Sequence, residues 1–268
     1  ARLQRKAILD NLEQELDDLD EGTDEFEEAH QKAATIPKKE QDLVTKAIKS
    51  FEKGLGLMKQ QQQKEDQQVA PMSLFAKESI RAAQELEEYG ASVDMVLHMA
   101  LAQTVFQTAL KHMEQAREAE AALVDENPDV LTLHGACLFN LARIDNQKGD
   151  HEGAATFLDQ AEKLLIKAEE MLGENENPKT LELLGQIYLL STMDIEDEDE
   201  VMETYDKATA KLRRALELNP DNVSLRKQLE AIEGGEEQGE EGDEDFDDEE
   251  DDGDNDDGGD DPYDEDEE

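Results

Sequence analysis

A phrase that recurs within the chain limits its fold more than any single motif does. Asn127-Pro128-Asp129-Val130-Leu131-Thr132-Leu133-His134-Gly135 returns 50 positions later as Asn177-Pro178-Lys179-Thr180-Leu181-Glu182-Leu183-Leu184-Gly185, with five of the nine positions identical. Self-similarity at a fixed period marks stacked units, none of which buries its apolar face alone. In both copies the proline fits the first turn of a helix, where its missing N–H has no intrahelical bond to lose. The glycine then falls mid-helix, at a cost of about 1 kcal/mol against alanine. The gain that offsets it is close approach of a neighbouring helix. A third pair, Asn219-Pro220, opens the last helix at a shorter interval.

Prolines 37, 71, 128, 178 and 220 separate long stretches rich in Ala, Leu, Glu, Lys and Gln, the punctuation of helices ended by proline. No segment alternates apolar and polar β-branched residues as a strand would. The chain therefore reads as all-α, with helices over about Leu3–Leu19, Asp24–Ala34, Lys39–Lys64, Met72–Tyr89, Val93–Leu123, Asp129–Lys148, Glu152–Leu172, Thr180–Thr192, Val201–Leu218 and Asp221–Ile232. Small and large side chains alternate along one face in Ala161, Leu165, Ala168, Met171 and in Ala208, Leu212, Ala215, Leu218. Ala109, Met113, Ala116, Ala119 and Ala47, Phe51, Gly54, Leu57 share that spacing, which suits close helix packing. A second stripe in the same early helix, Val44, Ile48, Phe51, Leu55 and Met58, serves the same packing. Leu9, Leu12, Leu16 and Leu19 form a stripe too short for a coiled coil; the expectation is that it packs back on the domain, with a partner helix or self-association as the alternative.

These residues carry a resemblance to the tetratricopeptide repeat superfamily. Ala47 to Leu57 and Ala208 to Pro220 look like its second helix and closing Asn-Pro, and Leu184-Gly185-Gln186-Ile187-Tyr188 looks like its first helix. The family's alanine follows its glycine by 12 residues, whereas Gly135 to Ala161 spans 26 and Gly185 to Ala208 spans 23. The units are longer than the usual 34 residues, so the likeness is to a divergent form and covers roughly residues 40–232. It implies antiparallel hairpins stacked as a right-handed solenoid whose concave face binds proteins. The family's pocket for the C-terminal carboxylate of heat-shock chaperones needs Lys and Asn at set first-helix positions. Those positions hold Thr132, Ala136, Glu182 and Gln186 here, so that peptide is not expected as a partner.

Charge divides the chain. Asp and Glu number 72 against 26 Lys and Arg, a net −46. Residues 233–268 hold 24 acids and no Lys or Arg, and no aliphatic residue follows Ile232. Such a segment buries too little apolar surface to offset its ordering entropy and is expected to be disordered. Three regions follow: an N-terminal helical segment, 1–36; a repeat domain, 37–232; and an acidic tail, 233–268. The tail reads as an electrostatic trap for a basic client, with Phe246 an apolar anchor among Asp243, Glu244, Asp245, Asp247, Asp248, Glu249, Glu250, Asp251 and Asp252; charge of this density acts across a screening length of about 8 Å. Solubility alone is the other reading. From Asp252 an EF-hand register puts Asp257 at the glycine position and Tyr263 at the bidentate position, so it fails as a calcium loop.

A net charge this negative repels phosphate and anionic lipid, so neither nucleic acid nor membrane is expected as a direct partner. The single Cys137 forms no internal disulfide and lies beside apolar residues, which reads as a buried thiol in a reducing nuclear or cytoplasmic setting. The five histidines show no metal-site spacing, and no phosphate loop, nucleophile elbow or dinucleotide fingerprint is present. No catalytic residue, cofactor or metal is expected. The chain opens Ala1-Arg2-Leu3 and reads as a fragment or processed form. The function expected is that of a non-enzymatic adaptor or dedicated chaperone for a basic client, either a ribosomal protein or a histone. The alternative is a structural subunit, or a nuclear import or translation-linked adaptor, in a larger complex.

Overall fold

The computed structural model describes residues 5, 23, 31, 34–64, 70–195 and 197–237; the expected helices over residues 3–19 and 24–34 lie almost wholly outside them. Among the described residues the chain is all-helical, with no strand. The helices are α1 (Lys38–Lys64), α2 (Ala70–Ala91), α3 (Met99–Ala119), α4 (Ala121–Asp125), α5 (Pro128–Gln147), α6 (His151–Leu172), α7 (Pro178–Ser191), α8 (Glu198–Leu218) and α9 (Val223–Glu237), with a 3-10 turn at Thr192–Asp194. Two compact units divide the chain, Ala1–Leu229 and Glu230–Glu268.

Pro128 and Pro178 occupy the first turns of α5 and α7. Asn127 Oδ1 accepts from the Asp129 and Val130 amides, and Asn177 Oδ1 accepts from the Lys179 amide, which satisfies donors that a helix start leaves open. The third Asn-Pro pair behaves differently. Asn219 ends α8, and α9 begins only at Val223, where Asn222 Oδ1 accepts from the Leu225 amide. A chain reversal at Lys148–Asp150 joins α5 to α6; Gly149 supplies its φ of +80° and Asp150 caps the new helix through the Gly153 amide, a conformation glycine adopts without steric cost.

The most extensive helix contacts are α2 with α3, α5 with α6, and α7 with α8. Adjacent pairs then meet through α2 with α5, α3 with α5, α5 with α7, and α6 with α7. One core runs from Ile36 and Val44 through Ala83, Phe106, Met113, Cys137 and Leu141, and a second joins Ala136, Phe139, Leu165, Leu184 and Ile187. The expected close approaches are present. A Cβ placed on Gly135 would lie 2.7 Å from Leu165 Cγ, and one on Gly185 would lie 2.6 Å from Leu212 Cγ. The small-large-small runs 109-113-116, 161-165-168 and 208-212-215 are buried, while the fourth members Met171 and Leu218 are exposed.

Three expectations need correction. The helix drawn over Val93–Leu123 is broken at both ends, because Asp94 Oδ1 draws the Val96 and Leu97 amides into a turn and Glu120 departs to φ −155°, ψ 89° before Val124 buries itself from α4. In α1 the quartet Ala47, Phe51, Gly54, Leu57 is not a packed face: Ala47 and Leu57 are exposed and Gly54 has nothing within 4 Å of its Cβ position. The overlapping stripe takes that role instead, with Val44 and Leu55 buried. Finally, α9 continues across Gly234 and Gly235 to Glu237, five residues into the segment that composition assigns to the tail.

Candidate partner-binding surface

α2, α5 and α7 share one side of the hairpins, joined by polar contacts that repeat with the chain. Thr132 and Thr180, 48 residues apart, bond through their hydroxyls at 2.8 Å in a buried site, and Thr132 also donates to the Pro128 carbonyl. Asn177 donates to Asp129 Oδ1 at 3.4 Å. Lys179 reaches back to Glu87 on α2, its ammonium 2.9 Å from a carboxylate that is itself almost fully buried. Further along, Asn222 donates to Glu182 Oε2 at 3.2 Å and Gln186 donates to Gln228 Oε1 at 3.4 Å. Two of these contacts, Thr132 with Thr180 and Asp129 with Asn177, span 48 residues, so the starts of successive first helices meet two residues out of step with the 50-residue repeat.

A cleft of about 390 Å³ opens between α2, α5 and the start of α7; Ile80 and Leu133 form apolar walls, with Glu87, Glu88, Asp129 and Lys179 among its polar lining. The carboxylates outnumber the single ammonium, and that ammonium is held by Glu87. Desolvation raises the Glu182 carboxyl above the usual carboxylate range, against the opposing pull of Lys179 and the Asn222 hydrogen bond. A cationic side chain brought to Glu182 meets a carboxylate whose charge is under-solvated, which strengthens attraction relative to open water.

At the four first-helix positions of the family's carboxylate pocket, Thr132 is committed to Thr180 and Pro128, Ala136 is fully buried, and Glu182 and Gln186 are half-buried. The ten tail residues singled out from the sequence, Asp243 to Asp252, lie outside the described residues. Cys137 is fully buried, and burial pushes its thiol well up, with the Glu87 charge adding to the shift. Among the described residues no group of three or more His, Cys, Asp or Glu side chains is arranged to hold a metal, and no helix is long and apolar enough to cross a membrane.

Sequence reasoning passed over two features. Gly90 is a third close approach, its Cβ position 2.7 Å from Phe106 Cζ; the 12-residue step from Gly90 to the fully buried Ala102 is the family's own glycine-to-alanine interval and was the available signal. The second is local charge. α1 contains seven lysines and three acids, a net +4 inside a chain of −46, which a charge count over a helix-length window reveals and a whole-chain count hides. No family model matches the chain, and neither a curated protein nor a solved structure matches it.

Proposed function

We propose that this chain is a non-enzymatic protein-binding adaptor or dedicated chaperone for a basic client, a ribosomal protein or a histone. Its hairpins stack as a TPR-like right-handed solenoid, the first-helix side gives specificity, and the acidic tail neutralises the client's charge. The observation that carries this reading is the tail's 24 acids without a Lys or Arg, in the same chain as a first-helix side lined by Glu87, Glu88, Asp129 and Glu182. The order of helix contacts supports the stacking, since the first helix of each pair touches both members of the pair before it. With Thr132 and Ala136 buried where the family places its clamp, an anionic C-terminal peptide has no cation to bind there, and the expected partner has the opposite charge.

The test is a titration of core histones, and separately of a basic ribosomal protein, against the intact chain and a chain ending at Glu237, the last residue of α9. The adaptor reading expects tight binding by the intact chain to one client, surviving moderate salt, and a large loss on truncation. Binding that is unchanged by truncation, or that reaches every basic protein equally and vanishes with salt, overturns it.

A further inference from the structure

Among the described residues, nothing packs on one seam of helix α1. Lys39, Leu43, Lys46, Ser50, Lys53 and Leu57 follow one another at spacings of 4-3-4-3-4, and all six are exposed, Leu57 by 54% and Leu43 by 39%. Spacing of this kind keeps side chains on one stripe of a helix. Its two sets alternate, with lysine at every first heptad position and Leu, Ser, Leu at every fifth. Its six members include no acid; exposed Asp42 borders it beside Lys39 and Lys46, and Glu52 pairs with Lys111 of α3 at 2.8 Å.

Beside the seam, α1 and α2 leave a cleft of about 400 Å³ whose apolar walls are Phe51, Leu55, Met58 and Ala82, whose lining also includes Glu78, Arg81 and Glu85 of α2, and which shares Ser50 with the seam. Gly54 lines the same cleft with open space above it. The buried side of this helix is already met by Val44 and Leu55, so the exposed leucines are not part of that packing.

We propose that this seam docks an acidic amphipathic helix of a partner protein, with leucines entering between Leu43 and Leu57 and carboxylates meeting Lys39, Lys46 and Lys53. Lysines one heptad apart are separated by about 10.5 Å along the axis, which a partner helix with Asp or Glu once per heptad matches. Charge complementarity selects this occupant. A short acidic helix sees the local positive charge of α1, whereas a long polyanion such as a nucleic acid or an anionic lipid surface extends into the negative field of the rest of the chain within a few screening lengths of about 8 Å. The seam shares no residue with the tail and takes a ligand of the opposite charge to the tail's, so its failure and that of the basic-client reading are independent.

The probe is a fluorescein-labelled three-heptad peptide with Leu at each fourth position and Glu at each first, titrated with the full chain at low salt by fluorescence anisotropy. Saturable binding is expected, weakened at least tenfold by Lys46→Glu with Lys53→Glu. Gly54→Leu is expected to fill the cleft and weaken binding at least fivefold, with the circular dichroism spectrum and melting temperature retained. No binding, or binding indifferent to the lysine pair, overturns the proposal. So does tighter lysine-dependent binding of a 20-base-pair DNA duplex or of phosphatidylserine vesicles. If the peptide binds only after Leu12, Leu16 and Leu19 are changed to Ser, the chain's own acidic segment is the occupant and the partner reading falls.

Discussion

In α5 and α7 a glycine is the point at which the next helix touches, and in α1 two glycines touch nothing. The space above Gly185 is closed by Leu212 Cγ at 2.6 Å and by the Ala208 carbonyl oxygen at 3.0 Å, and that above Gly135 is closed by Leu165; Gly54 and Gly56 face open space. The same residue type therefore has opposite energetics in two regions. In the hairpins the lost helix propensity is offset by dispersion contacts over a buried leucine, because a missing side chain lets two backbones approach. In α1 the propensity is lost with no packing return inside the chain. A helix built this way is held by fewer contacts and keeps a surface free.

The hairpin side of this comparison is most exposed to mutation at Leu212. It is fully buried against Gly185, so Leu212→Ala leaves a cavity and is expected to cost about 3 kcal/mol. Gly185→Ala gains about 1 kcal/mol of helix propensity but overpacks against a leucine Cγ and a backbone carbonyl, a penalty of about 1–3 kcal/mol, so a net loss is expected. The two changes together are expected to cost less than their sum by about 1 kcal/mol, because alanine at 185 has room once Leu212 is shortened. Urea midpoints of the four proteins measure the cycle. A stabilising Gly185→Ala breaks the close-approach account.

The open region predicts the reverse sign for the same substitution. Gly54→Ala meets no atom within 4 Å and is expected to stabilise α1 by about 0.5–1 kcal/mol. Amide exchange sharpens where that gain lands. If α1 opens separately from the hairpins, protection rises within residues 38–64 alone; if it unfolds with them, the global midpoint shifts as well. A loss of stability at Gly54→Ala removes the distinction between the two regions.

The contrast also explains which parts of the fold were legible in the sequence. Gly135 and Gly185 sit inside a phrase that occurs twice, so their role follows from the repeat. Gly90 lies one residue from the end of α2 and belongs to no repeated phrase, so its contact with Phe106 passes unseen although the chemistry is the same. The quartet Ala47, Phe51, Gly54, Leu57 has the right spacing and the wrong role. Spacing defines which residues share a stripe, and two overlapping stripes in α1 satisfy it, but only the presence of α2 along Val44 and Leu55 decides which one is buried. The breaks around α3 were hidden for a related reason. Asp94 and Glu120 are ordinary helix-compatible residues in composition, and their effect comes from a side-chain oxygen taking two amides and from Val124 turning inward. On the candidate surface, the family resemblance singled out Thr132 and Glu182 as positions of its carboxylate pocket, but their partners Thr180 and Asn222 are brought to them only by the fold.

Acid titration tests the border between the regions. His112 on α3 is fully buried, and desolvation lowers its pKa, against the Gln115 hydrogen bond that raises it; the adjacent Lys111 pairs with Glu52 of α1. Desolvation likewise lowers His134. Both are depressed bases, so the unfolded chain takes up protons first as pH drops below the ordinary histidine value of about 6.5, and stability falls with it. His112→Phe is expected to make the loss of stability between about pH 7 and 5 shallower. An unchanged slope means that His112 is not desolvated in the folded chain, and this account of its titration falls.

The smallest effect has the opposite sign and belongs to the outward side of α7, one turn before Gly185. Burial raises the Glu182 carboxyl pKa, so on acidification the native state binds its proton before the unfolded chain does, and this residue adds stability as pH falls through the raised value. Glu182→Gln keeps an oxygen to accept from Asn222 while removing the buried charge. It is expected to stabilise the protein by a few tenths of a kcal/mol at neutral pH, with the advantage gone below the ordinary glutamate range of about pH 4.3. Thermal melts at both pH values read this difference. The same variant sharpens the basic-client reading, because a carboxylate kept at this cost only for packing is replaceable by Gln without loss, whereas one that meets a client's cation weakens that client's binding when neutralised.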